Sequence, residues 1–459
     1  MNALKSRLEN RNATSAVIGL GYVGLPLAME MAAAGFNVIG IDLDHGKIAT
    51  LKQGRSYIQD VRDKTISDAL HSGKFTPTFD FSALKDADTV SICVPTPLSK
   101  SRDPDISFIL SATEEIRKHL HPGQLIVLES TTYPGTTDEL IVPELETSGL
   151  KVGSDFCVAF SPERIDPGNV SFNTRNTPKI VGGITPECTE IARLFYSQFI
   201  ERVVPVSSTK CAEMVKLLEN TFRSVNIGMV NELAMMCDLL GVDVYEVIDA
   251  AATKPFGFSP FYPGPGLGGH CIPIDPHYLA WKLKALNFQA RFIGLAAEIN
   301  GMMPTVVANM TSDGLNRSCK SIRGSKILIM GVAYKKNVSD CRESPALDVM
   351  RLLTDKGANL SYNDPFVPSL RLGGSVLKSV EATPADIAKY DCVILLTDHS
   401  DYDIRKIADA AKLLIDTRNA TKELRGYEHQ VIKLGAGNNV PKISHHDDGH
   451  EIPRKAAAR

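Results

Sequence analysis

Residues 264–276 read Gly-Pro-Gly-Leu-Gly-Gly-His-Cys-Ile-Pro-Ile-Asp-Pro, with a single thiol, Cys271, at their centre. Four glycines within six positions leave backbone N–H groups open to a close approach, and Pro263 and Pro265 before Cys271 with Pro273 and Pro276 after it stiffen the stretch. A thiol held in this way is suited to attack a carbonyl and carry a covalent intermediate. The same residues would also make a structural turn around a small, inert, buried cysteine. Lys216, Asn220 and Arg223 fall at i, i+4 and i+7 of a helical pattern, so they line one face. Two cations and an amide on a rigid element suit an oxygen on which negative charge develops; a solvated charged stripe has the same spacing. Glu163 follows the apolar run 156–160 in Ser161-Pro-Glu163-Arg164-Ile165-Asp-Pro-Gly168. Just past a strand end it stands where a general base can work, although an exposed loop carboxylate is the plainer reading of that stretch alone.

These groups need elements to position them, and the chain supplies an α/β frame. Residues 15–18 predict a buried strand, followed at once by Gly19-Leu-Gly21-Tyr22-Val23-Gly24, an apolar helix over 25–34 and a second strand over 36–41 ending in Asp42. This is a complete βαβ unit with a dinucleotide fingerprint. Gly19 permits the tight turn, Gly21 lets a pyrophosphate reach the backbone at the helix N-terminus, and Gly24 lets helix and strand pack. Asp42 is placed to accept hydrogen bonds from the adenosine ribose and to repel a 2′-phosphate, which favours NAD over NADP. Further strands over 87–94 and 124–129 end in Pro95-Thr96-Pro97 and Ser130-Thr131-Thr132. In a doubly wound sheet Thr96 and Thr131 would face the cofactor, unless each hydroxyl only satisfies its own turn.

Residues 208–240 contain no proline and only one glycine, Gly228, with apolar side chains recurring from Met214 to Leu233. A helix of this length and apolarity is expected to link two domains and to pair with its copy in a homodimer. A second β-loop-α-β rhythm begins at 326–333 and lacks the glycine fingerprint. Its loop is basic instead, and Lys335, Lys336 and Arg342 would neutralise a diphosphate by charge, with Arg418 beyond a later strand. The expected architecture is therefore α/β: two Rossmann-like doubly wound domains joined by a long central helix. The expected segments are a dinucleotide-binding domain over 1–207, a helical linker and dimerisation domain over 208–312, a second Rossmann-like domain over 313–440 and a flexible tail over 441–459. The tail's His445, His446 and His450 are not expected to form a metal site.

Composition narrows the function further. The 459 residues are 43% hydrophobic and 22% charged with a net charge of −3, which gives no reason to expect nucleic acid or a membrane surface as partner. No apolar run is long enough to span a bilayer, and the polar N-terminus lacks a signal-peptide core. The nine cysteines include no Cys-x-x-Cys pair. That argues against a zinc site or a disulfide framework and suits a reducing cytoplasm.

Taken together, residues 19–24, Val94-Pro-Thr96, Ser130-Thr131, Ser161-Pro-Glu163, Lys216-x-x-x-Asn220, Gly268-Gly-His-Cys271-x-Pro-x-Asp275 and the run from Lys335 through Arg342-Glu-Ser resemble the nucleotide-sugar 6-dehydrogenases, the UDP-glucose and GDP-mannose dehydrogenase family. The resemblance covers nearly the whole chain. It implies four-electron oxidation of a sugar C6 alcohol to a carboxylate with two NAD. Cys271 would form a thiohemiacetal and then a thioester, Lys216 and Asn220 would stabilise oxyanion character at C6, and Asp275 would order the water chain. Glu163 would assist thioester hydrolysis, with Thr131 close to water chain and cofactor. Lys47 and Arg342 match cofactor-side cations; Arg164, Ile165, Arg223, Gly268, Tyr334, Lys335 and Arg418 match substrate-side positions. The stretches around Thr131, Glu163 and Phe261 look most like the enzymes acting on UDP-N-acetylglucosamine, with the UDP-N-acetylmannosamine enzymes close by. Pro167 stands where the UDP-glucose enzymes carry a second Glu. Phe256, Phe258 and Phe261 are expected to offer apolar surface to an acetyl methyl. A two-electron β-hydroxyacid dehydrogenase or a non-catalytic NAD sensor would need no equivalent of Cys271.

Overall fold

The computed structural model describes residues 2–58, 60–99, 103–166, 169 and 171–437. Pro167 and the segment 441–459 with its three histidines lie outside the described residues. The chain divides into two compact units, one made of Met1–Gly228, Leu267–Gly301 and Ala333–Ser344, the other of Met229–Gly266, Met302–Val332 and Pro345–Arg459.

The first unit is built on an eight-stranded sheet: β1 (Thr14–Ile18), β2 (Asn37–Ile41), β3 (Phe75–Thr78), β4 (Thr89–Ile92), β5 (Leu125–Leu128), β6 (Cys157–Phe160), β7 (Lys179–Gly183) and β8 (Val203–Pro205). Their order is β3-β2-β1-β4-β5-β6-β7-β8. All neighbours are parallel except β6 and β7. Strands covered on both faces are mostly apolar, which is why they read as near-continuous runs and not as alternation; the buried hydroxyls of Ser15 and Thr89 bond to each other at 2.9 Å. Val17 packs into a core on one face, while Ala16 and Ile18 pack into the other. Ile18 pairs with Ile41 and Ile92, Ile92 with Leu128, and Leu128 with Phe160. This register brings Gly19, Asp42, Cys93, Glu129 and Ser161 to the same edge of the sheet. The order reverses between β1 and β4, the switch point at which such sheets take their ligand.

The polar N-terminus is a helix, Asn2–Glu9, whose Leu4 and Leu8 are fully buried. Two leucines four apart carry that face in a segment that is otherwise polar.

The 32-residue helix Thr209–Leu240 is present as expected, and its residues are shared between the two units. In the first unit it crosses the helix Arg291–Asn316 at Gly228. A Cβ there would lie 3.3 Å from Ala296 Cα, and the Asn300 amide donates to the Ser224 carbonyl at 3.1 Å.

The second unit carries five parallel strands, β9 (Lys326–Met330), β10 (Asn359–Asn363), β13 (Cys392–Leu395), β14 (Leu414–Asp416) and β15 (Val431–Lys433), in the order β10-β9-β13-β14-β15. A hairpin of β11 (Ser369–Leu372) and β12 (Ser375–Lys378) is attached. β15 and the hairpin are short and carry no long apolar run, so hydrophobic patterning does not mark them.

Candidate active site

The fingerprint loop has the form that a dinucleotide requires. Gly19 has φ +91°, and a Cβ there would sit 2.6 Å from the Cys93 carbonyl oxygen. A Cβ on Gly24 would overlap the Gly19 carbonyl at 1.9 Å, whereas Gly21 faces open space with nothing within 4 Å. Val23 stands at the N-cap of the helix Gly24–Ala33 and makes no side-chain cap hydrogen bond, so its side chain does not screen the helix start from a phosphate. Asp42 accepts from Leu20 N and Lys47 Nζ, each at 3.0 Å, and from Asp44 N at 2.9 Å. The residues present fit a dinucleotide: a bare cradle, an uncapped helix start and a carboxylate at the end of β2. Lys47 pairs with that carboxylate. Tyr22 lies beneath the Arg342 guanidinium, 5.2 Å from its ring centroid.

Cys271 lies at the start of a second helix, Asp275–Lys284. Its carbonyl accepts from Ile274 N at 3.0 Å and Asp275 N at 2.8 Å, so the thiol-bearing residue closes the turn that begins the helix. Gly268 is half-buried in the approach to it. Gly269 has φ +85°, donates to the Arg342 carbonyl at 3.1 Å, and leaves room for Tyr334, whose ring would lie 2.9 Å from a Cβ. His270 faces Arg342 at 3.3 Å. Burial, then the Arg342 charge, hold this imidazole down to about 4, so it is neutral at ordinary pH. Burial, then Asp275, push the Cys271 thiol up to about 12 against the pull of Lys216, Arg342 and Arg223. The thiol therefore carries its proton in the resting site, and Cys271 is not a standing thiolate.

Lys216 and Asn220 are buried, at 7% and 5% exposure, while Arg223 is exposed on the same helix. This overturns the reading of the three as a solvated stripe: the helix face turns inward where it meets the cysteine loop. Lys216 Nζ donates to the Glu163 carbonyl oxygen at 2.5 Å. Asn220 Nδ2 donates to Asp275 Oδ2 at 2.5 Å. Burial raises the Asp275 carboxyl to about 6, against the lowering effects of Lys216 and Asn220. Glu163 is not an exposed loop carboxylate; it is 9% exposed. Its Oε1 accepts from Arg164 N at 2.6 Å and Ile165 N at 2.7 Å, and its Oε2 faces Lys179 at 3.4 Å.

Tyr278, on the helix after Cys271, donates to the Thr96 carbonyl at 2.7 Å, which ties the loop after β4 to that helix. Thr131 is half-buried in the loop after β5, next to Ser130, whose hydroxyl donates to Val94 O at 2.8 Å. Arg164 is forked onto Glu219 and also donates to Pro178 O at 2.6 Å. Lys335 pairs with Asp166 at 2.7 Å. Arg418 belongs to the second unit, where its Nε donates to Leu396 O at 2.8 Å. Phe258 and Phe261 pack against the buried cluster around Val230 and Tyr245 instead of standing free; only Phe256 is open, with Lys254 over its ring.

Three further buried groups flank the site and are not among the residues expected to act there. Glu213, one turn before Lys216, accepts from Gly135 N at 2.5 Å and from the Thr137 N–H and hydroxyl at 3.0 and 2.7 Å. It thereby locks the loop after β5 to the central helix. Lys179 and Glu129 form a buried ion pair at 2.5 Å. Their signal was a charge inside or at the end of an apolar strand, which is rare unless paired.

Models of the UDP-glucose/GDP-mannose dehydrogenase family match the chain in three parts: the NAD-binding domain over residues 13–200, the central domain over 210–302 and the UDP-binding domain over 328–423. The chain belongs to this family. It is an NAD-dependent UDP-sugar dehydrogenase. A UDP-N-acetyl-D-glucosamine 6-dehydrogenase from Pseudomonas aeruginosa is 35% identical over 412 residues, 88% of this chain and 96% of the relative. An NDP-N-acetyl-D-galactosaminuronic acid dehydrogenase from Ralstonia nicotianae is 35% identical over 418 residues, 88% and 95% of the two chains. The solved UDP-D-ManNAc dehydrogenase of Pyrococcus horikoshii superposes with a TM-score of 0.84 at 33% identity, covering 93% of this chain and all of that one. Among the described residues of this dehydrogenase no helix is long and apolar enough to cross a membrane.

The raised Asp275 carboxyl has a measurable consequence. Asp275 binds its proton more tightly in the folded chain, at about 6, than the ordinary 3.8, so its contribution to stability is full below 3.8 and is lost as pH rises through about 6. The rise corresponds to about 3 kcal/mol. Asp275→Asn is expected to be more stable than the parent at pH 8, to lose that advantage at pH 4, and to be strongly impaired in turnover. Melting curves at the two pH values check this; a variant no more stable than the parent at pH 8 would contradict it.

Proposed function

We propose that the site oxidises the C6 alcohol of UDP-N-acetylglucosamine to the carboxylate through a thioester on Cys271. The observation that carries the reading is the convergence of one thiol, one ammonium and an amide–carboxylate pair on the buried face of the central helix, one helix start and the turn before it: Cys271, Lys216 and Asn220–Asp275. Residues 19–24, Asp42, Lys47, Thr96, Thr131 and Arg342 would hold NAD, which when bound would supply the hydride acceptor for both oxidations.

The chain's own residues do the rest. Lys216 and Asn220 stabilise the C6 oxygen as its proton leaves through the water chain ordered by Asp275. The resulting aldehyde takes up the Cys271 thiol: the S–C bond forms, the carbonyl oxygen gains a proton, and the Sγ proton goes to the same water chain. After the second oxidation the carbon is an acyl thioester. Water adds to it, the C–S bond breaks, the electron pair returns to Sγ with a proton, and the carboxylic acid is released. Glu163 assists this hydrolysis while its carbonyl anchors Lys216. Since burial raises the resting Cys271 thiol, the Sγ proton must leave before or as the S–C bond forms. Arg164, Ile165, Arg223, Gly268, Tyr334, Lys335 and Arg418 hold the UDP-sugar.

The N-acetylated substrate is supported by relatives named for N-acetylated sugars and by the local stretches around Thr131 and Glu163. Of the three phenylalanines, Phe258 and Phe261 are partly buried against a local core and Phe256 is exposed. One methyl contributes about 1–3 kcal/mol, roughly 10–200-fold. UDP-N-acetylglucosamine is expected to exceed UDP-glucose in kcat/KM within that range, with the C2 and C4 epimers below it. An NADH assay across these UDP-sugars, with products identified by mass, tests the assignment; preference for UDP-glucose or an epimer would overturn it while leaving the reaction class intact.

The same reading places the enzyme in the cytoplasm as a homodimer. Leu218 and Phe222 on the central helix, and Phe292 and Leu295 on the helix Arg291–Asn316, are exposed apolar side chains within the first unit. Several such side chains on adjacent helices suit a self-complementary interface. Sedimentation at working concentration should give a dimer or larger species, and a monomer would remove the idea.

A further inference from the structure

Lys179 opens β7 with its side chain 5% exposed, and Glu129 directly follows β5 with none of its side chain exposed. Lys179 Nζ meets Glu129 Oε2 at 2.5 Å and Glu163 Oε2 at 3.4 Å, and lies 5.3 Å from the centre of the Tyr196 ring. The Tyr196 hydroxyl donates to the other oxygen of Glu129. Burial works against the Lys179 ammonium, but Glu129 and Glu163 outweigh it and hold its proton more tightly than usual. A buried ion pair of this kind adds little stability over an apolar pair of the same shape, so its value is better sought in what it orients.

It orients Glu163. One carboxylate oxygen of Glu163 takes the N–H groups of Arg164 and Ile165, the other faces Lys179, and the main-chain carbonyl takes Lys216 Nζ. Glu163 is thus a strut with Lys179 at one end and Lys216 at the other. Glu129 also directly precedes Ser130-Thr131, so the same pair fixes the loop that carries Thr131.

We propose that Lys179, paired with Glu129, is a positioning residue for the C6 chemistry and acts through Glu163 on Lys216. The inference rests on the proposed roles of Lys216 and Glu163. It predicts coupling in turnover, which a purely structural lysine would not produce. Lys179→Met is expected to lower kcat about 10–100-fold, the scale of a misplaced catalytic group, with the KM for NAD changed less than about threefold. Glu163→Gln alone should also lower kcat. The double variant Lys179→Met/Glu163→Gln should lose no more than the worse of the two single variants.

If Lys179→Met leaves Glu129 buried, charged and unpaired and the chain does not fold, the pair is removed together in Lys179→Met/Glu129→Gln, and the same cycle against Glu163→Gln is measured in that background. Losses in kcat that multiply would overturn the positioning role and leave the reading of the site intact. So would a wild-type kcat in the Lys179 variants beside a loss in Glu163→Gln. A Glu163→Gln enzyme with wild-type kcat would overturn both the inference and the role of Glu163.

Discussion

Cys271→Ala is expected to abolish acid formation while NAD still binds. The phosphate loop at 19–24 is shaped by Cys93, Leu20 and Asp42 on the β1, β2 and β4 ends, none of which depends on the cysteine thiol. Without Sγ there is no thiohemiacetal and no thioester, so the chain can carry out at most the first oxidation. Removing a covalent nucleophile costs on the order of 10⁴-fold or more in kcat. Acid yield by mass and NAD affinity by titration, measured on the same preparation, decide the matter. Acid produced at the parent's rate would remove the covalent role; loss of NAD affinity together with activity would instead assign Cys271 a structural one.

Lys216→Met should be the next most damaging change. The substitution keeps the stem that packs in the helix interior and removes the ammonium that faces the Glu163 carbonyl. An oxyanion-type donor is worth about 10²–10³ in kcat. Methionine is the better probe than alanine because Lys216 is buried; alanine would add a cavity and confuse stability with chemistry. Since the Glu163 carbonyl loses its donor, a stability loss of about 1–3 kcal/mol is also expected. A kcat within tenfold of the parent, with the stability loss present, would reduce Lys216 to a structural cation.

The frame was legible because its signals are local. A strand of unbroken apolar residues, a glycine at each tight position and an acid at the end of β2 all lie within 15–42, and the structure places them in one parallel unit. Much of the site was legible for the same reason: Cys271 and Asp275 are four apart at a helix start, and Lys216 and Asn220 are four apart on one helix face.

What sequence spacing could not convey was which way those faces turn. The i, i+4, i+7 pattern of Lys216, Asn220 and Arg223 fits a solvated stripe as well as a buried one, and only the packing of the cysteine loop against the helix separates the first two from the third. The Lys179–Glu129–Glu163 cluster was hidden for a different reason. Its members are 50 and 16 residues apart and meet only because β5, β6 and β7 lie side by side in the sheet. The phenylalanines at 258 and 261 show a related ambiguity: spacing does not say that part of each ring packs against a local core.

The central claim is a four-electron oxidation on one enzyme, and it is tested most directly by counting NADH against substrate consumed. A limiting amount of UDP-N-acetylglucosamine, run to completion with excess NAD, should give two NADH per sugar and the uronic acid as the sole sugar product. One NADH per sugar, with an aldehyde recovered by a carbonyl trap, would contradict the thioester route through Cys271.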